Sequence, residues 1–531
     1  MNESLEYDYV IVGSGFGGSV SALRLAEKGY KVVVLEMGRR WSPQSLPKTT
    51  WSLKSWLWVP LLKWRGFFSM SFFRHVVVLH GNAVGGGSIT YANTLLVPPD
   101  KIWSQGSWAG LQDWVSEMPA HYETAKKMLG VTTNKILGPS DYLLKSMAQT
   151  AGVDSTFYPT EVGVFFGKDG DKPGTLYPDP YFDGKGPARN SCIGCGGCMV
   201  GCRYNAKNTL DLNYLYLAEK SGAKIFPETK VIDVRPLAGK SDGSAGYEVT
   251  ASNGMRIQTR GVVFSGSSLG TQDLLFRLKK KGSLPNISSA LGTQVRTNAE
   301  SLIGVRYPGS KEDLSRGIAI GSGIYIDEHT HIEATRYPAG SDAMSLLTTV
   351  MTQGRPGWTR IVLWFFMLLR MLIAHPVQLF RSLKPQHWAK EVIIFLCMQT
   401  LDGTLTMKLK RPWYWPFCEK LTTHGPKIPT FIPAANEFAV KMSKLTGGIP
   451  ATSLTEIFLN IPMTAHCLGG APMAANSAQG VVDEKHRVFG YKNMLICDGS
   501  VVSSNLGVNP SLTITALAER AMSYIPMKEL P

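Results

Sequence analysis

The chain opens MNESLEYDYV, with neither a positively charged segment nor an apolar stretch behind it. No signal peptide and a cytoplasmic start are therefore expected. Nor does the apolar run IVLWFFMLLRMLIA at 361–374 supply a spanning helix. It is shorter than the roughly 20 residues a bilayer requires, and Arg370 interrupts it. A core helix or an interfacial helix remains. Cysteine is scarce, with eight in 531 residues. Four are isolated (Cys397, Cys418, Cys467 and Cys497) and four lie together, which favours a metal or cluster over a disulfide framework. Acid is short of base, 40 residues against 55, for a net charge of +15 and a pI near 9.3. Solubility accounts for such a charge, and so does an anionic partner. No nucleic-acid motif is present, and the basic residues are scattered, often beside aromatics as at 51–65. A membrane surface, or no partner role for the charge, is left.

What is present is ordinary for a globular enzyme: 44% hydrophobic and 18% charged residues. The length calls for two or more domains. The organising stretch is 8–36, DYVIVGSGFGGSVSALRLAEKGYKVVVLE. A short β-branched run at 9–12 predicts a buried parallel strand. Gly13, Gly15 and Gly18 follow as G-x-G-x-x-G, then a helix over 19–29 with Val20, Leu23 and Leu25 inward. A second strand at 31–35 is closed by Glu36. In this pattern the glycines let backbone approach a pyrophosphate, the helix N-terminus offers free N–H groups, and the terminal acid accepts from a ribose diol. A glycine turn alone would be weak evidence; the strand, helix, second strand and acid together predict a dinucleotide site.

Further on, 41–73 is rich in Trp, Phe and Leu with Lys and Arg between them. A membrane-interface segment, a lid and a buried wrap all have this composition. A strand running into a glycine-rich loop at 76–87, VVVLHGNAVGGG, precedes SITYAN, and reads as a surface turn or as a second approach to the cofactor. Helices are expected over 114–129, 139–151 and 209–221, and a long ordered loop over 160–186. Two short strands are expected within 223–234, and an antiparallel set at 247–256 and 260–265. The segment 262–278 repeats strand, glycine turn and helix, returning the chain to the first sheet. From 299 to 455 the pattern changes: alternation at 317–327 and 393–410 predicts a separate antiparallel sheet.

Between these lies NSCIGCGGCMVGCRYNAKN at 190–208. Cys192, Cys195, Cys198 and Cys202 give C-x-x-C-x-x-C-x-x-x-C, the ferredoxin-type run for a [4Fe–4S] cluster, with Arg203 where proline usually follows. An iron–sulfur cluster, a structural zinc and reduced thiols packing a loop all fit the spacing. Towards the C-terminus, His466 sits in TAHCLGGA, 490–500 is a strand ending in Asp498 and Gly499, and 507–522 opens with a turn at Asn509 and becomes a helix. His466 alone reads equally as a core histidine or as a catalytic one.

These pieces together resemble the glucose–methanol–choline oxidoreductases. The matching segments are GSGFGG at 13–18, GNAVGGGS at 81–88, GSSLGTQDLL at 266–275 and the block from His466 through DGS to GVNPSLTITALAER. Within the family the likeness is to the cholesterol oxidase branch, and in it to actinobacterial members carrying a similar four-cysteine run; secreted members lack that run. The resemblance implies an α/β chain: a Rossmann-like FAD-binding domain, with a parallel sheet and βαβ unit, and an α+β substrate domain on an antiparallel sheet. The FAD-binding domain would comprise 1–140, 211–298 and 456–531, the substrate domain 299–455, with 141–210 as a substrate-domain and cysteine-loop insertion. It implies FAD held by Gly13, Gly15, Phe16, Gly17, Gly18, Glu36, Gly85, Gly86, Ser88, Asn93, Val231, Gly266, Asp498, Gly499 and Asn509. It implies His466 and Asn509 as the catalytic pair and Glu333, in HIEATRYPAG, as a carboxylate base. The expected reaction is oxidation of a sterol 3β-hydroxyl, with C5–C6 double-bond isomerisation by Glu333. The acceptor is oxygen or, if the cysteines hold a cluster, a separate electron carrier. Another steroid, a 3-ketosteroid or a long-chain alcohol is the alternative substrate, and a non-catalytic membrane-associated flavoprotein the alternative class.

Overall fold

The structure is a computed structural model that describes residues 6–237, 239–352, 357–401, 403–412, 417–428 and 430–529. Residues 1–5 of the opening segment MNESLEYDYV, and residue 402 within the alternating run 393–410, lie outside them. Strand β1 (Tyr7–Val12) is apolar on both faces and lies in the middle of a seven-stranded sheet. Parallel to it run β2 (Val32–Leu35) on one side and the end of Arg256–Phe264 on the other. Lys224–Phe226 and Met494–Ile496 extend the parallel part, and Tyr247–Ala251 and Val231–Pro236 add an antiparallel flank. A strand buried on both faces needs such continuous Val and Ile. Sequence expected separate strands at 247–256 and 260–265; instead Arg256–Phe264 is one strand that pairs antiparallel at its start and parallel at its end.

Helix α1 (Phe16–Glu27) follows β1 and buries Val20, Leu23 and Leu25 against the sheet. Each such side chain contributes about 1.5–3 kcal/mol on burial. The helix begins three residues before Ser19, where the spacing placed it. Gly17 and Gly18 form its first turn, because that turn lies too close to neighbouring backbone for any Cβ. A Cβ on Gly17 would stand 1.7 Å from the Cys497 carbonyl oxygen, and one on Gly18 2.2 Å from that of Gly13.

The second layer is also a seven-stranded sheet, antiparallel throughout. Its order is Thr348–Val350, Ile449–Ser453, β3 (Ser301–Arg306), Val392–Gln399, β4 (Thr330–Thr335), Ile320–Tyr325 and Tyr158–Pro159. Helices Pro139–Ala151 and Pro433–Thr446 cover one face, with Leu144, Met147, Phe438 and Met442 in the shared core. A buried pair, Arg336 and Asp141 at 2.5 Å, ties the first helix to the sheet.

The run at 361–374 is neither core nor span. It lies in α2 (Trp358–Ala374), whose one buried residue is Arg360, and α3 (Pro376–Leu383) follows with only Leu379 buried. No helix among the described residues is long and apolar enough to cross a membrane. The aromatic stretch 41–73 divides. Trp56, Phe67 and Phe68 are packed in a core cluster, whereas Leu61, Leu62 and Phe72 are exposed. A three-stranded sheet joins the layers: Val77–Gly81 pairs with Phe68–Phe72 and, in parallel, with Met463–Thr464. Helix α4 (Ser511–Ser523) closes the chain against α1.

Candidate active site

Between the two sheets lies one cavity of about 1200 Å³. That exceeds the roughly 300–1000 Å³ of ordinary small-molecule sites, so it has room for a cofactor and a substrate together. One wall is the β1–α1 turn. Gly15 has open space where a Cβ would stand, so its bare backbone faces the cavity. The second glycine turn meets the first backbone to backbone, and a Cβ on Gly86 would come within 2.7 Å of the Gly15 Cα. At the end of β2, Glu36 lines the same wall. Its Oε2 accepts from Ser14 N at 2.9 Å and from Ser14 Oγ at 2.7 Å, and its Oε1 accepts from Gly38 N at 2.8 Å. Burial raises its carboxyl and these donors oppose the rise. Phe16, Gly17, Val231, Gly266, Asp498, Gly499 and Asn509 line the cavity too. Thr271 Oγ1 donates to Asp498 Oδ2 at 2.5 Å and fixes that carboxylate. A bare glycine cradle at a helix N-terminus, with an acid at the next strand end, fits the phosphates and ribose of a dinucleotide.

The opposite wall carries the reactive groups. His466 follows Met463–Thr464, and its backbone N–H is held by Thr464 Oγ1 at 2.8 Å. Its Nδ1 is in contact with Glu300 Oε1, from the residue just before β3. Burial pushes the His466 imidazole down, but the Glu300 carboxylate more than offsets this, and the net direction is up. With Nδ1 engaged, Nε2 is the nitrogen left for the cavity. Asn509 stands at the mouth of α4, whose N-cap Pro510 and first residue Ser511 also line the cavity. Asn509 Nδ2 donates to Glu333 Oε2 at 3.2 Å, across from β4. Glu333 is fully buried, and desolvation pushes its carboxyl up to about 8 although Asn509 and His466 oppose that. Among the described residues, Glu333 Oε1 and Asn509 Oδ1 are buried without a partner. Apolar residues on the lining include Leu302, Ile320, Tyr337, Met344, Leu347 and Trp388.

Glu333 is absent from the lining itself and meets it through Asn509, and other expected residues also sit behind the cavity walls. Gly18 packs on Gly13, and Gly85 makes the turn at φ +92°. Ser88 Oγ donates to Gly85 O at 2.6 Å and accepts from Leu210 N at 3.0 Å, so it shapes the loop from outside the cavity. Asn93 is buried at φ +75°, its amide beside the Cys198 thiol rather than on the cavity surface. Sequence reasoning missed Glu300, Ser14 and Thr271. Ser14 was inside the glycine motif and opposite Glu36, which was a usable signal; Glu300 sits in no motif.

The four expected metal ligands gather at a second place. Cys192, Cys195, Cys198 and Cys202 line one small pocket, which the backbone of the loop ties to the substrate layer through Gly196 N to Gly317 O at 2.7 Å. Backbone N–H groups reach two sulfurs, Gly194 to Cys192 and Ala206 to Cys202, each at 3.4 Å. The buried Lys207 ammonium donates to the carbonyls of Ile89, Tyr91 and Cys198, clamping this loop to the glycine-rich one. The pocket is only about 20 Å³, the space of one water. No group of three or more His, Cys, Asp or Glu among the described residues has the arrangement of a metal site. Burial pushes the Cys195 thiol up to about 11. As arranged, the thiols do not fit a four-iron cube without the loop opening.

Comparison with known proteins shows the family. Residues 436–518 match the GMC oxidoreductase family model, and residues 11–51 match an NAD(P)-binding Rossmann-like domain. A cholesterol oxidase of Acinetobacter baumannii is 58% identical, over 98% of this chain and 95% of its own. The chain belongs to the GMC oxidoreductase family. A cholesterol oxidase of Mycobacterium tuberculosis is 44% identical over 98% of this chain and 92% of its own. A long-chain-alcohol oxidase of Arabidopsis thaliana is 24% identical over 96% of this chain and 66% of its own. The crystal structure of pyridoxine 4-oxidase from Mesorbium loti superposes with a TM-score of 0.60, covering 97% of this chain and 99% of that one. At 14% identity it shows the shared fold of this GMC oxidoreductase.

Proposed function

We infer that the protein oxidises the 3β-hydroxyl of cholesterol or a related sterol with FAD as cofactor. The carrying observation is that one cavity joins the glycine cradle and Glu36 to His466, Asn509 and an apolar chamber. Bound FAD supplies a hydride acceptor, and oxygen takes the electrons on to hydrogen peroxide. Gly15 and Glu36 hold the dinucleotide, with Ser14 fixing the Glu36 carboxylate from behind and Asp498 and Gly499 further along the cavity. His466 Nε2 takes the hydroxyl proton as the α-hydrogen leaves, and Asn509 orients the oxygen. Apolar walls keep water out and fit a flat hydrocarbon body.

The finer reading assigns Glu333 to isomerisation: its carboxylate carries a proton within the enone precursor and shifts the C5–C6 double bond into conjugation. Its pKa near 8 suits that work. Oxygen as direct acceptor is preferred over a cluster-linked carrier because the cysteine pocket is so small. Contact with a membrane surface belongs to the same reading, since sterols reside there.

The test is the visible spectrum of anaerobic protein before and after a 3β-hydroxysterol is added. Bleaching of the flavin bands is expected. His466→Ala slows that bleaching by about 10²–10⁴-fold. A flavin left unchanged by sterol but bleached by a long-chain alcohol would move the substrate class.

A further inference from the structure

Helix α2 is inside out. Its inward row, Arg360, Trp364, Met367 and Met371, follows the i, i+4, i+7 spacing of one helix face. Arg360 is fixed to Glu456 at 2.6 Å, and Trp364 Nε1 donates to Thr349 Oγ1 at 3.0 Å. The outward face is the apolar one. Phe365 and Phe366 are each 60% exposed and Ile373 77%, and α3 continues with Val377 and Phe380. A surface helix normally turns its polar side to water, and a contiguous apolar face this large marks an interaction surface.

Two further observations name the occupant. There is no Asp or Glu between Asp342 and Glu391, while Arg370, Arg381 and Lys384 are exposed along the two helices. The stretch between Glu36 and Asp100 is likewise free of acid. It packs Trp56, Phe67 and Phe68 into the cluster that holds Met344 and Trp388, while exposing Leu61 and Leu62. Apolar side chains interleaved with cations and no acid suit an anionic lipid surface. The second observation is continuity with the cavity. The chain leaves the cavity wall at Leu347 and Thr348, runs through α2 and α3, and re-enters the wall at Trp388 and Val392. At 17 residues α2 is about 25 Å long, short of the roughly 30 Å hydrocarbon core.

We propose that α2 and α3 form a docking face that lies in the surface of an anionic bilayer and seats the cavity there, so that an apolar substrate passes from lipid to active site without crossing water. The substrate part rests on the sterol reading; the docking does not. Docked, the outward Phe and Ile side chains enter the acyl boundary and the cations meet phosphate headgroups. The Arg360–Glu456 pair keeps the helix on the protein.

The experiment is co-sedimentation of the full chain with sterol-free vesicles, of phosphatidylcholine alone or with phosphatidylglycerol. Wild type binds both, the anionic vesicles more tightly, and added salt reduces that preference. A Phe365→Ser, Phe366→Ser, Ile373→Ser variant binds on the order of 10²-fold less. An Arg370→Glu, Arg381→Glu, Lys384→Glu variant loses the preference for anionic lipid. Both keep wild-type turnover of detergent-dispersed sterol and lose turnover of vesicle-embedded sterol in step with binding. Wild type that stays in the supernatant, or a serine variant that binds as wild type, overturns the proposal. So does a wild-type dimer that ignores vesicles and dissociates on serine substitution, which would make the face a contact between copies. A protein that docks but leaves sterol untouched supports the docking and overturns the substrate reading instead.

Discussion

Glu300 stands against Nδ1 of His466, and that contact decides which ring nitrogen serves the cavity. A hydrogen bond from Ala465 N to Glu300 Oε2 at 3.2 Å holds the carboxylate in place. Glu300 thus orients the ring and sets its tautomer, as carboxylates do for catalytic histidines elsewhere. Removing the charge has a predictable sign. Burial alone pushes the imidazole down, and the carboxylate is what brings it up. Glu300→Gln therefore lowers the His466 pKa and moves the acidic limb of kcat/KM to lower pH. Turnover also falls, on the order of 10²-fold, because the ring is no longer held. Glu300→Asp restores the limb in part. A pH profile unchanged in Glu300→Gln would leave Glu300 a packing residue only.

Glu333 reports on the second step. With its carboxyl pushed up to about 8, it is mostly protonated at neutral pH and gains base character as pH rises through that value. Isomerisation should therefore climb through about pH 8 to a plateau. Glu333→Gln should abolish the ultraviolet absorbance of the conjugated enone while hydrogen peroxide still forms. Equal loss of both products would show that the residue serves oxidation itself.

The cysteine loop makes its own prediction. A water-sized pocket predicts protein with flavin but with neither iron nor acid-labile sulfide after anaerobic purification. Stoichiometric iron and sulfide would show that the loop opens around a cluster, and electrons would then have a route out other than oxygen.

The legible parts of this chain were those where a local pattern has a local cause. Gly13 to Gly18 followed by Glu36 specifies a turn, a helix and an acid in one unit, and β1, α1 and β2 fold as that unit requires. The alternation after residue 299 does the same for the antiparallel sheet. Glu300 was not legible, because its meaning comes from a contact with a residue 166 positions away. The run at 361–374 left a core helix and an interfacial helix both open, and only the core alternative falls. Hydrophobicity favours burial when a protein has only water outside it, and α2 keeps its apolar face outward. The 41–73 stretch divides between cluster and surface for the same reason: composition says a side chain avoids water, not which partner relieves it.

Two glycines one residue apart separate fold from cofactor binding. A Cβ on Gly15 meets nothing, and its backbone at φ −71°, ψ −166° is one an alanine adopts freely. Gly15→Ala should therefore fold with a thermal midpoint near wild type, while its methyl group enters the space meant for phosphate. Its ratio of flavin to protein absorbance should fall, and added FAD should restore it only at high concentration. Gly17→Ala is the converse. Its methyl would lie 1.7 Å from the Cys497 carbonyl oxygen, which belongs to the central sheet and cannot rotate away. Either α1 or the strand end at Ile496 must shift, at a cost of about 3 kcal/mol or more. That is a large share of a typical folding free energy of roughly 5–15 kcal/mol. The expected result is aggregated or flavin-free protein with a lowered midpoint that saturating FAD does not recover. If the two variants exchanged these behaviours, Gly17 rather than Gly15 would be the residue that meets the cofactor.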